Sequence, residues 1–283
     1  MGELNLSVEI DSQSGFCFGV IEAINKAEEA LANNEELYCL GEIVHNDEEI
    51  NRLQKKGLKF INYQQFKQLK NKKILFRAHS EPPESYLIAQ QNNLEIIDAS
   101  CPIIQIIKKK VKYSFDNGEK VYIYGKHKHP EIIAINGHVN NKLVVFEHFE
   151  ELNINNMPTS ITLYSQTTQS LKGFKDIIQK LKDKGIKVKV KDTICRQVSN
   201  REPQISEFCK RFDKIIFIAG TNSSNGKVLY NICKNENRNT YFINSCKQIK
   251  TEWFNKNDKV GISGATSTPL WLMEEAKEYL TSL

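Results

Sequence analysis

The chain has 283 residues, of which 40% are hydrophobic and 26% charged, and 39 Lys and Arg against 34 Asp and Glu give a formal net charge of +5. This composition is typical of a globular protein with a sizeable core. The basic residues form neither an Arg-rich arm nor a dense basic helix, which disfavours nucleic-acid binding. The N-terminus does not resemble a signal peptide, and no apolar run approaches the roughly 18–20 residues of a membrane span. We therefore expect a cytoplasmic protein with no membrane partner.

The predicted elements form three similar series along the chain. Each series opens with a strand that passes through a cysteine into a helix, and these cysteines are Cys17, Cys101 and Cys195. Three further short apolar strands follow each cysteine, separated mostly by helical or charged segments. In chain order they lie in ELYCLGEIVHN, LKFI and KKILFRAHS, then in KVYIYGKHKHPE, KLVVF and ITLYSQTT, then in KIIFIAGTNSSNG, TYFIN and KVGISGATSTP. The cysteines are 84 and 94 residues apart, which indicates an internal repeat.

This repeat predicts an α/β fold of three similar small lobes, each a mostly parallel four-stranded sheet with helices. The predicted lobes are residues 1–98, 99–192 and 193–283. In parallel sheets, ligands bind beyond the carboxyl ends of the strands. In each series a cysteine follows the first strand, and polar clusters follow the second and fourth strands. We therefore predict that the three lobes are arranged around one central site.

The seven cysteines form no CxxC pair, which argues against zinc ribbons and thioredoxin-like sites. A single cysteine is most often a small buried apolar residue, and we assign Cys39, Cys209, Cys233 and Cys246 that role. The three cysteines of the repeat differ because each lies where a helix begins, and the positive end of the helix dipole there favours the thiolate. Cubane clusters normally take four thiolates, so three would leave one iron open to substrate. The central site is therefore predicted to be an iron–sulfur site.

Polar residues at the same strand ends form a second candidate set. They are His45, His79 and His129 in the first two lobes, and Ser223, Ser224, Asn225, Thr266, Ser267 and Thr268 in the third. Imidazoles, hydroxyls and an amide at helix N-termini suit phosphate oxygens. Two other interpretations stay open, because three histidines could themselves hold a metal and Ser/Asn-rich turns are ordinary turn chemistry. We assign His127, His138 and His148 to the surface.

Glu131 is the candidate proton donor. It lies two residues after His129 and just past Pro130. In a dry site its carboxyl group would keep a raised pKa and could donate protons, although an acid in the first turn of a helix is also a common stabilising arrangement. Thr167 and Thr168 in SQTT are either members of a proton relay or helix N-caps.

Ten motifs, in this order between residues 15 and 269, resemble the 4-hydroxy-3-methylbut-2-enyl diphosphate reductase family, also called LytB or IspH. They are GFCFGV, HN, AHS, DASCP, HPE, SQTT, DTIC, NR, SSN and GATSTP. The resemblance implies a three-lobed α/β fold around one 4Fe-4S cluster. It further implies that Cys17, Cys101 and Cys195 each hold one iron, and that the fourth iron is open.

The resemblance also implies roles for the polar residues. The substrate-binding set is His45, His79, His129, Thr167, Thr168, Ser223, Ser224, Asn225 and Ser267. Glu131 would deliver protons, and Thr167 would orient the substrate hydroxyl and relay protons. Small departures from the family pattern occur at Ser80, where a glycine is common, and at Lys126, where some members have histidine. After the third cysteine, Val198 and Glu202 also depart from the usual Thr-rich form.

The implied reaction removes an allylic hydroxyl from a branched C5 diphosphate with two electrons and two protons, giving isopentenyl and dimethylallyl diphosphate. Ferredoxin or flavodoxin is the expected electron donor. Lys108–Lys110 are either part of a docking face for this donor or, as we favour, a solvated helix flank. Three alternative functions remain: a cluster-containing hydro-lyase, an electron carrier without substrate, and a phosphate-binding transferase with incidental cysteines.

Overall fold

The computed structural model describes residues 4–33 and 36–283. Twelve strands occur in these residues: β1 (Ser7–Ile10), β2 (Leu37–Leu40), β3 (Lys59–Ile61), β4 (Lys73–Phe76), β5 (Glu95–Asp98), β6 (Val121–Tyr124), β7 (Val144–Phe146), β8 (Ser160–Ser165), β9 (Lys187–Lys191), β10 (Lys214–Ile218), β11 (Thr240–Ile243) and β12 (Lys259–Gly264).

The same residues contain eleven α-helices: α1 (Phe18–Ala32), α2 (Asp47–Lys55), α3 (Tyr63–Gln68), α4 (Pro83–Gln91), α5 (Pro102–Asp116), α6 (Pro130–Gly137), α7 (Leu171–Asp183), α8 (Arg196–Ser199), α9 (Arg201–Cys209), α10 (Ser224–Glu236) and α11 (Leu270–Thr281). Short 3-10 helices cover Phe149–Glu151, Ile154–Asn156, Cys246–Gln248 and Thr251–Trp253. Helices α4, α5 and α6 begin with proline, whose missing N–H and fixed φ suit a first helical turn.

The strands form three four-stranded sheets, and every pairing in them is parallel. The strand orders are β3-β2-β4-β5, β7-β6-β8-β9 and β11-β10-β12-β1. The predicted α/β class and the three four-stranded parallel sheets are therefore confirmed. The inner strands are nearly all buried, as in KIIFI of β10, whereas β1 alternates between exposed and half-buried residues because it lies at a sheet edge.

The strands before Cys101 and Cys195 lie within the predicted lobes 1–98 and 99–192, although the series along the chain assigns each to the lobe that follows. β5 pairs with β4 and β9 pairs with β8, so each of these strands completes the sheet that precedes its cysteine. β1 has no preceding sheet and pairs instead with β12, with Val8 opposite Val260. Assigning Ser7–Ile10 to the sheet of residues 1–98 is therefore wrong. The first strand of the chain thus supplies the fourth strand of the last sheet, as β5 and β9 do for the other two sheets.

The contacts between Cα atoms divide the chain into two compact units. One comprises the chain up to Ile24, Glu42–Leu58 and Asn200–Leu283, and contains the β11-β10-β12-β1 sheet. The other comprises Asn25–Gly41 and Lys59–Ser199, and contains the other two sheets. In this second unit, α5 packs through Ile107 and Val111 into a core with Val121 and Ile123 of β6. No helix in the described part of the chain has the length and apolar character needed to cross a membrane.

Candidate active site

The three repeat cysteines are anchored by the same backbone hydrogen bond. In each case the cysteine N–H donates to the carbonyl of the second residue after an inner strand of the sheet. The pairs are Cys17 to Thr266 (3.1 Å), Cys101 to Ala78 (3.0 Å) and Cys195 to Thr167 (2.9 Å). Each cysteine carbonyl then accepts a bond from the first turn of α1, α5 or α8. The repeat therefore places each thiol at a helix start beside a sheet's carboxyl edge.

Exposure separates these three cysteines from the other four. Cys17, Cys101 and Cys195 are partly exposed, whereas the other four are buried. Burial raises the pKa of Cys39 to about 12 and that of Cys246 to about 12, so these thiols stay protonated. A thiolate is the ligating form of cysteine, and helix N-termini favour it. Each of the three repeat cysteines therefore has the chemistry of a metal ligand, and the buried cysteines serve as packing residues.

The turn that leads from β1 to Cys17 begins at the buried Asp11. The Asp11 carboxylate accepts hydrogen bonds from Arg201 (2.7 Å) and from the Ser263 hydroxyl (2.8 Å), and the Asp11 carbonyl accepts one from the N–H of Ser14 (2.9 Å). Asp11 and Arg201 are both about 5% exposed at their side chains. The arginine of the NR motif therefore anchors the segment before Cys17, a role that sequence patterns alone could not assign because the two partners lie 190 residues apart.

Glu131 lies in the first turn of α6 and is 1% exposed. Its carboxylate accepts two hydrogen bonds from Thr167, one from the backbone N–H at 2.8 Å and one from the hydroxyl at 2.6 Å. Burial raises the pKa of Glu131 to about 7, although both hydrogen bonds act to lower it. Because the carbonyl of Thr167 also holds the Cys195 N–H, the carboxyl group is connected through one residue to a cysteine anchor.

His79 and His129 lie in the same unit and contact each other. Their ring centroids are 5.3 Å apart, with an interplanar angle of 89°. His129 caps α6, and its Nδ1 accepts the N–H of Glu131 at 3.2 Å. This bond assigns the proton of the neutral ring to Nε2, which makes Nε2 a hydrogen-bond donor. The edge-to-face pair thus presents imidazole groups beside the buried carboxyl group.

The predicted hydroxyl and amide residues meet in the other unit. The Ser223 and Ser267 hydroxyls are 3.1 Å apart, and Asn225 donates to the Thr266 hydroxyl at 2.9 Å. Ser223 also caps α10 by accepting the N–H of Gly226 at 3.0 Å. Ser224 is the first residue of α10 and is partly exposed. Two loops after neighbouring strands therefore bring these groups together at one helix N-terminus.

Thr268 has a different role from its neighbours. It is fully buried, and its hydroxyl donates to the Ile218 carbonyl at 2.7 Å while accepting the Ala265 N–H at 3.1 Å. Ile218 ends β10, just before the loop that carries Ser223, and Ala265 lies in the loop that carries Ser267. Of the three hydroxyls in GATSTP, this one closes the turn.

His45 precedes the α2 helix in the first unit. Its Nδ1 is 3.3 Å from a Glu42 carboxylate oxygen, which orients the ring. A Cβ atom at Gly220 would collide with the His45 carbonyl, so glycine permits the close approach of these two backbone segments. Glu42 is an orienting residue that the sequence prediction missed. An acidic residue in a loop after a strand is a common sequence pattern, so the sequence alone could not identify Glu42 as a partner of His45.

Gln166 is a second residue that the prediction missed. It is 1% exposed, its side-chain amide donates to the Thr168 hydroxyl at 2.7 Å, and its side-chain carbonyl accepts the Lys126 N–H at 3.0 Å. Thr168 is therefore oriented by Gln166, while Thr167 contacts Glu131. The position of Gln166 within SQTT is the sequence signal that could have identified it.

Of the histidines assigned to the surface, His127 is exposed and pairs with Glu151 at 2.7 Å. His138 is half-buried instead, and its Nδ1 lies 2.8 Å from the Ala134 carbonyl oxygen. Burial lowers the pKa of His138. It therefore forms part of the α6 C-terminus, and its assignment to the surface is wrong.

The fold and these residues define an α/β protein that presents partly exposed cysteines at helix starts and a buried acid whose pKa is raised. Residues 8–281 match the model of one protein family, described as LytB protein. The chain belongs to the LytB family. Membership of this family implies an iron–sulfur cofactor.

The chain is similar along nearly its whole length to curated proteins named 4-hydroxy-3-methylbut-2-enyl diphosphate reductase. It is 47% identical over 280 residues to the Bacteroides fragilis protein, covering 96% of this chain and 97% of the relative. It is 40% identical over 303 residues to the Chloroherpeton thalassium protein, covering 97% of this chain and 96% of the relative.

Two solved structures are also similar. One is described as (E)-4-hydroxy-3-methyl-but-2-enyl diphosphate reductase, the terminal enzyme of the non-mevalonate pathway, with a TM-score of 0.76, 32% identity and coverage of 98% of this chain and 99% of that one. The other is E-1-hydroxy-2-methyl-but-2-enyl-4-diphosphate reductase from Plasmodium falciparum, with a TM-score of 0.85, 26% identity and coverage of 99% and 89%.

Proposed function

We propose that this chain reduces 4-hydroxy-3-methylbut-2-enyl diphosphate to isopentenyl diphosphate and dimethylallyl diphosphate, in the last step of the methylerythritol phosphate route. The reaction takes up two electrons and two protons and releases the allylic hydroxyl as water. Full-length similarity to proteins with this name supports the proposal. The observation that carries it is the buried Glu131 carboxyl group, whose pKa of about 7 suits a proton donor.

The proposed cofactor is one 4Fe-4S cluster with three cysteine ligands and one open iron. Cys17, Cys101 and Cys195 would hold it, because they share one backbone anchor, lie at helix starts and are partly exposed. When bound, such a cluster supplies electrons one at a time and a Lewis-acidic iron for the substrate hydroxyl. The chain's own residues supply binding, orientation and protons.

The diphosphate group would be bound by the imidazoles, hydroxyls and amide identified above. The proposed residues are His45, His79, His129, Thr168, Ser223, Ser224, Asn225 and Ser267. Each is a hydrogen-bond donor, and His129 presents its Nε2 proton because Nδ1 accepts a backbone N–H. The family resemblance, rather than a distance, supports the assignment of residues from both units to one substrate.

Glu131 would deliver a proton to the departing hydroxyl. A carboxyl group with a pKa of about 7 is protonated in a large fraction of molecules at neutral pH. Thr167 holds this group with two hydrogen bonds, and its hydroxyl would orient the substrate hydroxyl and relay the proton. The second proton would reach either end of the allyl system, which accounts for two products.

The proposed electron donor is ferredoxin or flavodoxin, which are acidic proteins as a rule, and the net charge of +5 suits such a partner. A cytoplasmic location remains a prediction. No nucleic-acid partner is proposed.

The decisive test is to purify the protein anaerobically and measure iron, sulfide and turnover of the hydroxylated C5 diphosphate with dithionite and a viologen. We expect about four irons per chain, as in a cubane cluster, and two electrons consumed per product formed. Iron with dehydration but no consumption of reductant would indicate a hydro-lyase. Absence of iron after anaerobic reconstitution would contradict the cofactor proposal.

The ligand assignment can be tested with a matched pair of cysteine variants. We expect Cys101→Ser to lose bound iron and sulfide, because three ligands are needed to hold the cluster. Cys246→Ser should retain both, since this thiol is buried and its Sγ donates to the Leu272 carbonyl at 3.6 Å, a bond that a hydroxyl can also make. Full iron and sulfide in Cys101→Ser would remove Cys101 from the ligand set.

A further inference from the structure

One lysine of α5 is buried, contrary to the expectation of a solvated flank at Lys108–Lys110. Lys109 and Lys110 are exposed, but Lys108 is only 4% exposed. Its ammonium donates a hydrogen bond to the Ser80 hydroxyl, with Nζ and Oγ 2.5 Å apart. Burial lowers the pKa of Lys108 and thereby opposes its charge. A buried ammonium is costly to desolvate, so its contact with Ser80 calls for an explanation.

Ser80 itself has an unusual backbone conformation. Its φ is +68°, in the left-handed region that side-chain-bearing residues seldom adopt, and it is 1% exposed. The Ser80 N–H donates to the Arg77 carbonyl at 2.9 Å and closes a turn. Ala78 and His79 are the two central residues of this turn. Ser80 therefore closes the turn that carries His79.

Two bonds tie this turn to the α5 segment, one on each side of His79. The Cys101 N–H, just before α5, donates to the Ala78 carbonyl at 3.0 Å. Lys108, about two helical turns further along α5, donates to Ser80. His79 lies between the two tied residues, and its ring contacts His129 edge to face. The α5 segment thus holds both residues that flank His79, Ala78 before it and Ser80 after it.

Charged groups of both signs surround Lys108. Glu81 and Asp98 favour its charged form, Arg77 lies 3.5 Å from the Glu81 carboxylate, and the charge of Lys108 helps to lower the pKa of His138. The contact of Lys108 with the turn that carries His79 is its direct bond to Ser80.

We propose that Lys108 is a positioning residue for diphosphate binding, acting through Ser80 to hold His79 in its binding orientation. This inference rests on the proposed function, because it requires His79 to contact the diphosphate. Lys108 does not touch the substrate. Its loss leaves Glu131 and Thr167 in place, so it affects substrate binding more than the chemical step.

The test compares Lys108→Met, Ser80→Gly and the double variant in the anaerobic holoenzyme, with Lys109→Met as the control. The readouts are KM and kcat for the hydroxylated C5 diphosphate, and the Kd of inorganic pyrophosphate by calorimetry. We expect Lys108→Met to raise KM and Kd by about tenfold with kcat within about threefold, since a lost orienting bond weakens binding. Lys109→Met should match wild type.

The double-mutant cycle separates positioning from a merely structural role. If Lys108 acts through Ser80, the double variant binds pyrophosphate no more weakly than Lys108→Met alone. The melting temperature of Lys108→Met should stay near that of wild type, because the lost bond to Ser80 is offset by the ammonium that no longer has to be desolvated. Affinity thus falls while stability is kept, whereas a structural residue would lower both.

Each result decides the inference. Wild-type KM and Kd in Lys108→Met would overturn it, as would additive effects in the double variant. If Lys108→Met does not fold, Ser80→Gly carries the test, because glycine adopts a φ of +68° without strain. Wild-type affinity in Ser80→Gly would then overturn the inference. Failure of the proposed function is recognised separately, as absence of reductive turnover in the wild-type enzyme.

Discussion

Two buried glutamates, one in each unit, lie in the first turn of a helix that follows a histidine, but they have different roles. Glu49 is in the first turn of α2, four residues after His45, and Glu131 is in the first turn of α6, two residues after His129. They are 0% and 1% exposed. Both follow a histidine-bearing loop, so position and burial alone do not tell them apart.

Their partners separate them. The Glu49 carboxylate accepts hydrogen bonds from Nε (2.8 Å) and Nη2 (2.6 Å) of Arg52 and from the Trp271 indole N–H (2.8 Å). Glu131 receives only the two neutral donors of Thr167, and among the described residues no cation pairs with it. A buried carboxylate beside a cation is a structural anchor. A buried carboxyl group without one keeps a pKa near neutrality and can exchange protons.

The largest effect that this comparison predicts is on turnover. We expect Glu131→Gln to lower kcat by about 10²–10⁴-fold, because the amide fills the same space but cannot donate the proton. Iron content and pyrophosphate affinity should stay near wild type. The measurement is steady-state reduction by the holoenzyme with a viologen donor. A variant that retains most of the wild-type kcat would remove Glu131 from the proton-donor role.

The next effect concerns stability against pH. The pKa of Glu131 is 4.5 in the unfolded chain and about 7 in the fold, so the folded state binds more protons between these values. Stability from this group is therefore fully present below pH 4.5 and is lost as the pH rises through about 7. The loss amounts to at most about 3 kcal/mol. Anaerobic denaturation of wild type and Glu131→Gln at several pH values isolates this contribution, and parallel curves for the two proteins would contradict it.

Substitution of Glu49, the structural anchor, should lower stability and leave turnover unchanged. Glu49→Gln leaves the Arg52 guanidinium beside a neutral amide, and we expect a loss of about 2 kcal/mol in the free energy of unfolding, since Arg52 is partly exposed. The kcat of the folded fraction should be unchanged. Thermal unfolding and turnover measured on the same sample check both statements. Normal stability combined with a collapsed kcat would reverse the roles of the two glutamates.

Much of this molecule could be predicted from its sequence because the repeat is local. Apolar runs indicated the parallel strands, and the position of each cysteine at a helix start followed from the residues beside it. The partner of β1 could not be predicted, because its edge pairing with β12 joins segments about 250 residues apart, and no periodicity records such a pairing. The same holds for the Asp11–Arg201 ion pair.

The buried lysine shows a second limit on sequence reasoning. Three successive lysines normally indicate a solvated helix face, and Lys109 and Lys110 fit that rule. Lys108 differs because it is buried and the turn closed by Ser80 offers its ammonium a hydroxyl. Burial at one residue of a charged run depends on tertiary packing, which the run itself does not encode.

The smallest predicted effect refines the contrast between the two glutamates. The Thr167 hydroxyl donates to Glu131 at 2.6 Å and lowers its pKa, so Thr167→Val should raise that pKa further. Because the acid must be protonated to act, activity falls as the pH rises through its pKa, and the variant's alkaline limb should move upward. A hydrogen bond of about 1 kcal/mol corresponds to a shift of less than about one pH unit.

The measurement is the pH at which kcat falls on the alkaline side of its pH profile. A misoriented substrate that lowers kcat equally at every pH does not change this position. Thr168→Val is the matched control, because its hydroxyl accepts from Gln166 and does not contact Glu131. An unchanged limb in Thr167→Val would mean that another group titrates in turnover. An acidic limb that moves upward would instead mean that Glu131 acts as a base, since a base must be deprotonated to act.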